Sequence, residues 1–356
     1  MRFTPLFVLI SLAAAADPGT PLTRNVVLVT ADGLRWQEVF HGIDPMLAHE
    51  KSTGMEGAEE RRKRYERPTE AQRREALMPF FWTQLAPRGA VFSDVKVTNG
   101  IRVSYPGYSE ILTGRANDAL IHSNRAIQNP NETVLEFAKR KLNLRREQVA
   151  LLASWQTFRQ IGEHTEGSIF INAGYQSIDD TRMPPPILEL SRLQFHMLTP
   201  WDEARHDYIT GAMGLEYLRA VKPRVLMISF DETDDWAHDR RYDRVLDAIT
   251  EFDRFLERLW HTIESVKELR GRTTLIVTSD HGRGSTLADW HDHGKGVEGA
   301  DRIWLAIIGP DTKASTAPAA KVKQCDIAPT IIKLLGLNPS DYPGVAGSPI
   351  EGVFER

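Results

Sequence analysis

A single cysteine, Cys325, occurs in the 356 residues. One thiol excludes an internal disulfide, a CxxC pair and any Cys-rich zinc site, so a bound metal must be held by histidine and carboxylates. Cys325 is expected as a small buried apolar residue in a helical stretch. Basic excess is also missing: 44 Lys and Arg stand against 48 Asp and Glu, a net charge of −4. No surface for nucleic acid is therefore evident. A phosphorylated substrate is still allowed, because metal ions can supply positive charge locally. Beyond the N-terminus no apolar run approaches the roughly 20 residues that a membrane span needs. There are no internal repeats, and nothing in the sequence sets the oligomeric state.

What is present is a chain that is 41% hydrophobic, enough for one large domain. Arg2, an apolar run over 3–12 and Ala14-Ala15-Ala16 before Asp17 read as a signal peptide over residues 1–16. A periplasmic or secreted protein is expected, with a single catalytic domain over 17–356. Short runs rich in Val, Ile and Leu predict buried parallel strands over Asn25–Thr30, Val91–Val97, Val149–Ala153, Arg224–Phe230, Thr273–Ser279 and Ile303–Ile308. Helical stretches are expected over Glu132–Lys141, Trp201–Ala220, Asp239–Val266 and Asp326–Leu335. This alternation predicts an α/β fold, a three-layer α/β/α sandwich around a predominantly parallel sheet with small insertions. A charged insertion falls at about 45–85, with residues 50–75 nearly free of apolar side chains, and is expected as a solvated surface segment. Turn-rich residues 155–200, with Pro184-Pro185-Pro186, are expected to form a small cap.

Chemistry gathers where the strands end. Ligands of open α/β sheets bind beyond the carboxyl ends of strands. The first strand runs into Asp32, and the strand at 273–279 runs into Asp280 and His281. After Phe230 come Asp234 and His238, an i,i+4 pair that shares one face of a helical turn. Asp289, His291, Asp292 and His293 follow in ADWHDHG. Each alone reads as a cap or turn residue. Together they are more ligand atoms than a structural role requires, and a set without thiolates suits zinc or a similar divalent ion. Ser104 opens the helix-like stretch after Val97 and is the candidate nucleophile, with a helix cap as its ordinary alternative. A helix N-terminus beside it favours phosphate oxygens.

The order Asp32, Ser104, Asp234 with His238, Asp280-His281 and His293-Gly294 resembles the alkaline phosphatase superfamily. It looks closest to the nucleotide pyrophosphatase/phosphodiesterase and sulfatase-like branch. Ser104-Tyr105-Pro106 corresponds to its Thr-x-Pro segment, Leu112-Thr113-Gly114 to the run that follows, and Gln324–Leu337 to a C-terminal helix. The resemblance covers roughly residues 24–140 and 222–350. It implies two divalent metal ions, taken as zinc, about 4 Å apart. Asp32, Ser104, Asp280 and His281 would hold one; Asp234, His238 and His293 would hold the other, with His293 preferred over His291 for its following glycine. It implies hydrolysis of a small phosphorylated substrate, a phosphate monoester or diester, through a phosphoseryl intermediate. Asn124, its rival Asn99, and Lys295 are candidates to contact a phosphoryl oxygen. A type I sulfatase is disfavoured, since the fifth residue from Ser104 is Tyr108 where the maturation motif has Arg. The alternatives are a sulfatase-like or phosphonate hydrolase of the same superfamily and an inactive, ligand-binding relative. Tyr105, Tyr108 and Trp236 are expected as core packing rather than as a stacking surface.

Overall fold

The computed structural model describes residues 21–315 and 321–354, and the expected signal peptide lies outside them. Eight strands form one sheet. In chain order they are β1 Asn25–Ala31, β2 Ala90–Lys96, β3 Val149–Ala153, β4 Phe170–Ala173, β5 Val225–Phe230, β6 Thr273–Thr278, β7 Arg302–Ile308 and β8 Val322–Lys323. They lie side by side as β4-β3-β5-β1-β6-β7-β2-β8. β1 is central and pairs in parallel with both β5 and β6, and its seven residues are all buried. Helices cover both faces, which is why these strands read as unbroken apolar runs. One face packs under the helices Asp207–Val221 and Tyr242–Ser265, the other under Ser104–Thr113, Val134–Lys141 and Ile327–Leu334. The three-layer α/β/α sandwich expected from the sequence is the fold. Cys325 is buried, as expected.

β7 departs from the expected parallel set: it runs antiparallel to both β6 and β2. Antiparallel neighbours need no crossover helix, and the chain returns from β6 to β7 through the loop 279–301 alone. A fully buried strand shows the same apolar run in either direction, so its sense is not written in its residues. The carboxyl ends of β1, β2, β5 and β6 therefore share one edge, and the 279–301 loop lies along it.

Residues 155–200 do more than cap the fold. They supply edge strand β4 and the helix Pro185–Leu193, which packs on Asp207–Val221. The helix expected from Trp201 starts only at Asp207. The charged insertion forms helices Glu59–Tyr65 and Glu70–Leu77, the second with a Thr69–Gln72 capping box. Met55, Tyr65, Leu77 and Met78 within it are buried. The Tyr65 hydroxyl meets Thr250 Oγ1 at 2.7 Å, and Arg61 Nε donates to Asp247 Oδ1 at 2.9 Å. The segment is thus docked on the Tyr242–Ser265 helix.

Asp253 of that helix ends the insertion, accepting from the amides of Phe80 at 2.9 Å and Phe81 at 2.8 Å. Burial outweighs these bonds and raises its carboxyl to about 6. The folded protein then keeps a proton that the unfolded chain releases near pH 4, so stability from this group falls as pH rises through that window. Urea unfolding of wild type and Asp253→Asn at pH 4 and pH 7 is expected to show the wild type losing about 2 to 3 kcal/mol relative to the variant over that interval. A difference that does not change with pH refutes the assignment.

Candidate metal centre

Three strand ends and the 279–301 loop meet at one point. Asp32 follows β1 and is 1% exposed; Asp280 and His281 follow β6 and are fully buried. Asp234 and His238 sit on the short helix Glu232–His238 after β5. His293 comes from the 279–301 loop, and its ring stacks on His281 with centroids 3.9 Å apart. Two donor groups result: Asp32, Asp280 and His281, and Asp234, His281 and His293. His281 Nε2 lies 3.3 Å from Asp32 Oδ1, 3.4 Å from Asp280 Oδ2 and 3.7 Å from Asp234 Oδ1. His238 Nε2 lies 3.0 Å from both Asp234 Oδ2 and His293 Nε2. The two groups are contiguous, with His281 between them.

The imidazoles are aimed. His281 Nδ1 donates to the Gly282 carbonyl at 3.0 Å, and His293 Nδ1 to the Arg102 carbonyl at 3.2 Å. A carbonyl can only accept, so each ring turns the lone pair of Nε2 into the cluster. Asp280 is held by the Gly33 amide at 3.0 Å, and Thr233 Oγ1 donates to the Asp32 carbonyl at 2.5 Å. Asp32 Oδ1, Asp280 Oδ2 and His281 Nε2 remain buried without a hydrogen-bond partner. Buried orphan acceptors converging at these distances fit a cation.

Electrostatics agree. Burial, with Asp32 alongside, raises the Asp280 carboxyl to about 8. Burial raises Asp235 to about 8 against the opposing hydrogen bond with Asp231, and burial and Asp235 hold Asp231 well above the carboxylate range. Burial alone would lower His281, but Asp280 and Asp32 bring it to about 9. Burial and the nearby His281, Arg283 and His238 hold His293 far below the usual imidazole value. A divalent ion takes the place of the protons that crowded carboxylates otherwise keep.

Ser104 is the first residue of the helix Ser104–Thr113, 5% exposed, and the capping position belongs to Val103. Its hydroxyl caps no backbone amide, which removes the ordinary reading of this serine. The helix lies hard against β6: a Cβ on Gly107 would stand 2.4 Å from the Asp280 carbonyl oxygen. Asn124 Oδ1 accepts from the Tyr105 amide at 2.9 Å, and its Nδ2 comes to 3.5 Å from Ser104 Oγ. Asn99 is committed elsewhere. Its Nδ2 donates to Glu110 Oε2 at 3.0 Å and its Oδ1 accepts from the Arg102 amide at 2.7 Å. Lys295 is exposed, two residues past His293. The His291 ring meets Asp292 Oδ1 at 3.0 Å and belongs to neither donor group. Tyr105 and Tyr108 are fully buried, as expected, with Tyr108 packed on Phe158 at 4.5 Å.

Sequence reasoning passed over Arg283. It is 2% exposed and donates to Asp234 and to the backbone of the neighbouring loops. The available signal was an arginine inside SDHGRG, directly after two ligand candidates. The two asparagines are also separable by experiment. Asn99→Ala leaves Glu110 and the Arg102 amide short of a partner and is expected to cost about 1 to 3 kcal/mol in urea unfolding. Asn124→Ala, at an exposed position, is expected within about 0.5 kcal/mol of wild type. Equal losses refute the division of roles.

Residues 211–339 match the family model described as the Metalloenzyme superfamily. A curated 2,3-bisphosphoglycerate-independent phosphoglycerate mutase of Gracilaria tenuistipitata var. liui is 24% identical over 124 residues. That match spans 35% of this chain and 23% of the mutase, so a segment is shared and not the whole relative. Among solved structures, a protein in the alkaline phosphatase superfamily from Vibrio parahaemolyticus aligns with TM-score 0.55 and 14% identity, over 93% of this chain and 71% of that one. A phosphonate monoester hydrolase from Silicibacter pomeroyi gives 0.56 and 14%, over 92% and 75%. A 2-O GAG sulfatase gives 0.55 and 12%, over 92% and 73%. The segment 211–339 thus resembles the Metalloenzyme superfamily, and the fold of the whole matches that of the alkaline phosphatase superfamily protein.

Proposed function

We propose that this protein hydrolyses phosphate esters with two divalent ions, taken as zinc, through a phosphoseryl intermediate on Ser104. The observation that carries the reading is a buried serine at a helix N-terminus, capping nothing, whose helix abuts Asp280 of the donor cluster. Asp32, Asp280 and His281, with Ser104, would hold one ion; Asp234, His238 and His293 would hold the other. When bound, such ions supply Lewis-acid charge to ester oxygens and acidify a nucleophile.

The chain's own groups do the rest. Ser104 Oγ loses its proton as it attacks phosphorus, and the ester P–O bond breaks, the leaving oxygen gaining a proton as the alcohol; water then cleaves the phosphoseryl bond, returning a proton to Ser104 and freeing phosphate from a monoester or a phosphate monoester from a diester. Asn124 keeps its Oδ1 on the Tyr105 amide, so its Nδ2 is pre-aimed at the reacting oxygens. The helix N-terminus favours the anionic group. Lys295, exposed two residues past His293, is the candidate point charge for a phosphoryl oxygen. The substrate is a small phosphorylated molecule. An exported protein is part of the proposal and rests on residues 2–16. No helix of the described residues is long and apolar enough to cross a membrane.

Sulfate and phosphonate ester hydrolysis are the competing readings, since solved structures with this fold include a sulfatase and a phosphonate monoester hydrolase. Against the first stands Tyr108, an apolar core residue where sulfatase maturation requires arginine. The intact donor set argues against an inactive relative. The test is turnover of aryl phosphate monoester, phosphate diester, phosphonate and sulfate by zinc-loaded protein. A phosphate ester is expected to be the best substrate, with activity lost on chelation and restored by zinc. Ser104→Ala should lower it on the order of 1,000-fold or more, and Asn124→Ala about 100-fold. Preference for sulfate, or a Ser104→Ala variant as active as wild type, refutes the proposal.

A further inference from the structure

Arg283 touches three chain segments besides its own. Nε donates to the Gly33 carbonyl at 3.2 Å, Nη1 to the His291 carbonyl, and Nη2 to the Asp234 carbonyl at 3.2 Å and to Asp234 Oδ1. Every one of those segments carries a donor of the cluster. Asp32 precedes Gly33, His293 lies two residues past His291, and Asp234 is itself a donor; Arg283 follows His281 by two residues. We propose that Arg283 is the positioning residue of the metal centre, a guanidinium clamp that fixes three donor-bearing segments to a fourth. The inference rests on the two-ion reading above.

The chemistry selects arginine. A guanidinium offers five N–H donors in a rigid planar fork, so one group can address several carbonyls in different directions. A lysine ammonium at the same place is a point charge on a flexible stem and cannot span them. The backbone makes room for the fork. Gly33 has φ +55°, and a Cβ there would stand 2.7 Å from Arg283 Nε and 2.6 Å from Asp234 Oδ1. The guanidinium also leaves a fixed positive charge beside a carboxylate-rich site, so Asp234 keeps one orientation whether or not an ion draws on it. Partners that orient metal ligands from behind govern affinity about 10- to 100-fold.

Arg205 is the comparison within the same molecule. It is 1% exposed and binds Thr210 Oγ1 at 2.9 Å, Asn172 Oδ1 at 2.5 Å and Gln194 Oε1 at 3.2 Å, none of which belongs to a donor segment. The experiment compares full-length Arg283→Lys, Arg283→Met and Arg205→Lys with wild type. Zinc affinity is read by competition with a chromophoric chelator, and ligand geometry by the visible absorption of cobalt-loaded protein; urea unfolding of metal-free protein records stability. Both Arg283 variants are expected to lose about 10- to 100-fold in zinc affinity and to shift the cobalt bands. Arg205→Lys is expected to lose stability while keeping affinity and bands. Arg283→Lys retains the charge and bulk, so it decides the matter if Arg283→Met does not fold. Wild-type affinity and bands in Arg283→Lys overturn the clamp, as does the same spectral shift in Arg205→Lys. A wild-type protein that takes up neither zinc nor cobalt refutes the ion reading itself, a separate failure read on the unmutated chain.

Discussion

Like charge in a small dry space is the constraint on which the rest of this structure depends. Asp32, Asp234 and Asp280 converge at one sheet edge, with Asp231 and Asp235 close behind. Burying carboxylates together is unfavourable unless positive charge and hydrogen-bond donors answer them. The surrounding sequence can be understood as that answer. Gly33 turns its amide to Asp280, carbonyls at Gly282 and Arg102 set two imidazoles, and Arg283 carries a permanent charge into the crowd. Imidazole nitrogens and buried carboxylates crowded at one point are a good donor set for a divalent cation.

The parallel core does the gathering. Because β1, β2, β5 and β6 point the same way, whatever follows each of them arrives at the same edge. The one reversed strand, β7, lets a single loop deliver Asp280, His281 and His293 without a crossover. Close packing then sets the depth of Ser104. The helix bearing Ser104 can approach Asp280 only because Gly107 has no side chain to hold it away. Glu110 of that helix reaches back to the amides of Thr98 and Asn99, so the turn leading to Ser104 is tied at both ends.

Much of this was legible in the residues, and the exceptions have physical reasons. Asp32, Asp234, His238, Asp280, His281 and His293 could be singled out because strand-end position and residue type are both local properties. Their convergence was expected and is seen. The direction of β7 was not legible, since a strand buried on both faces carries no directional pattern. Strand β4 was hidden in four residues among turns. Choosing between Asn99 and Asn124 required knowing which amide was already engaged, and Glu110 engages Asn99 from eleven positions away. Arg283 acts almost wholly through backbone carbonyls, which every residue type has, so no partner residues could announce it. The charged insertion misled in degree: its few apolar side chains, diluted in composition, are the ones that dock it.

The central place of β1 has a consequence for synthesis. Its two sheet neighbours, β5 and β6, follow it in the chain by about 200 and 250 residues. Until both have left the ribosome, seven residues that end wholly buried have no sheet to enter. Pairing across such separations closes large loops before any contact repays them, which makes assembly slow and leaves an apolar strand open to wrong partners. The edge that carries the donor cluster therefore forms only once β6 and the 279–301 loop have joined β1.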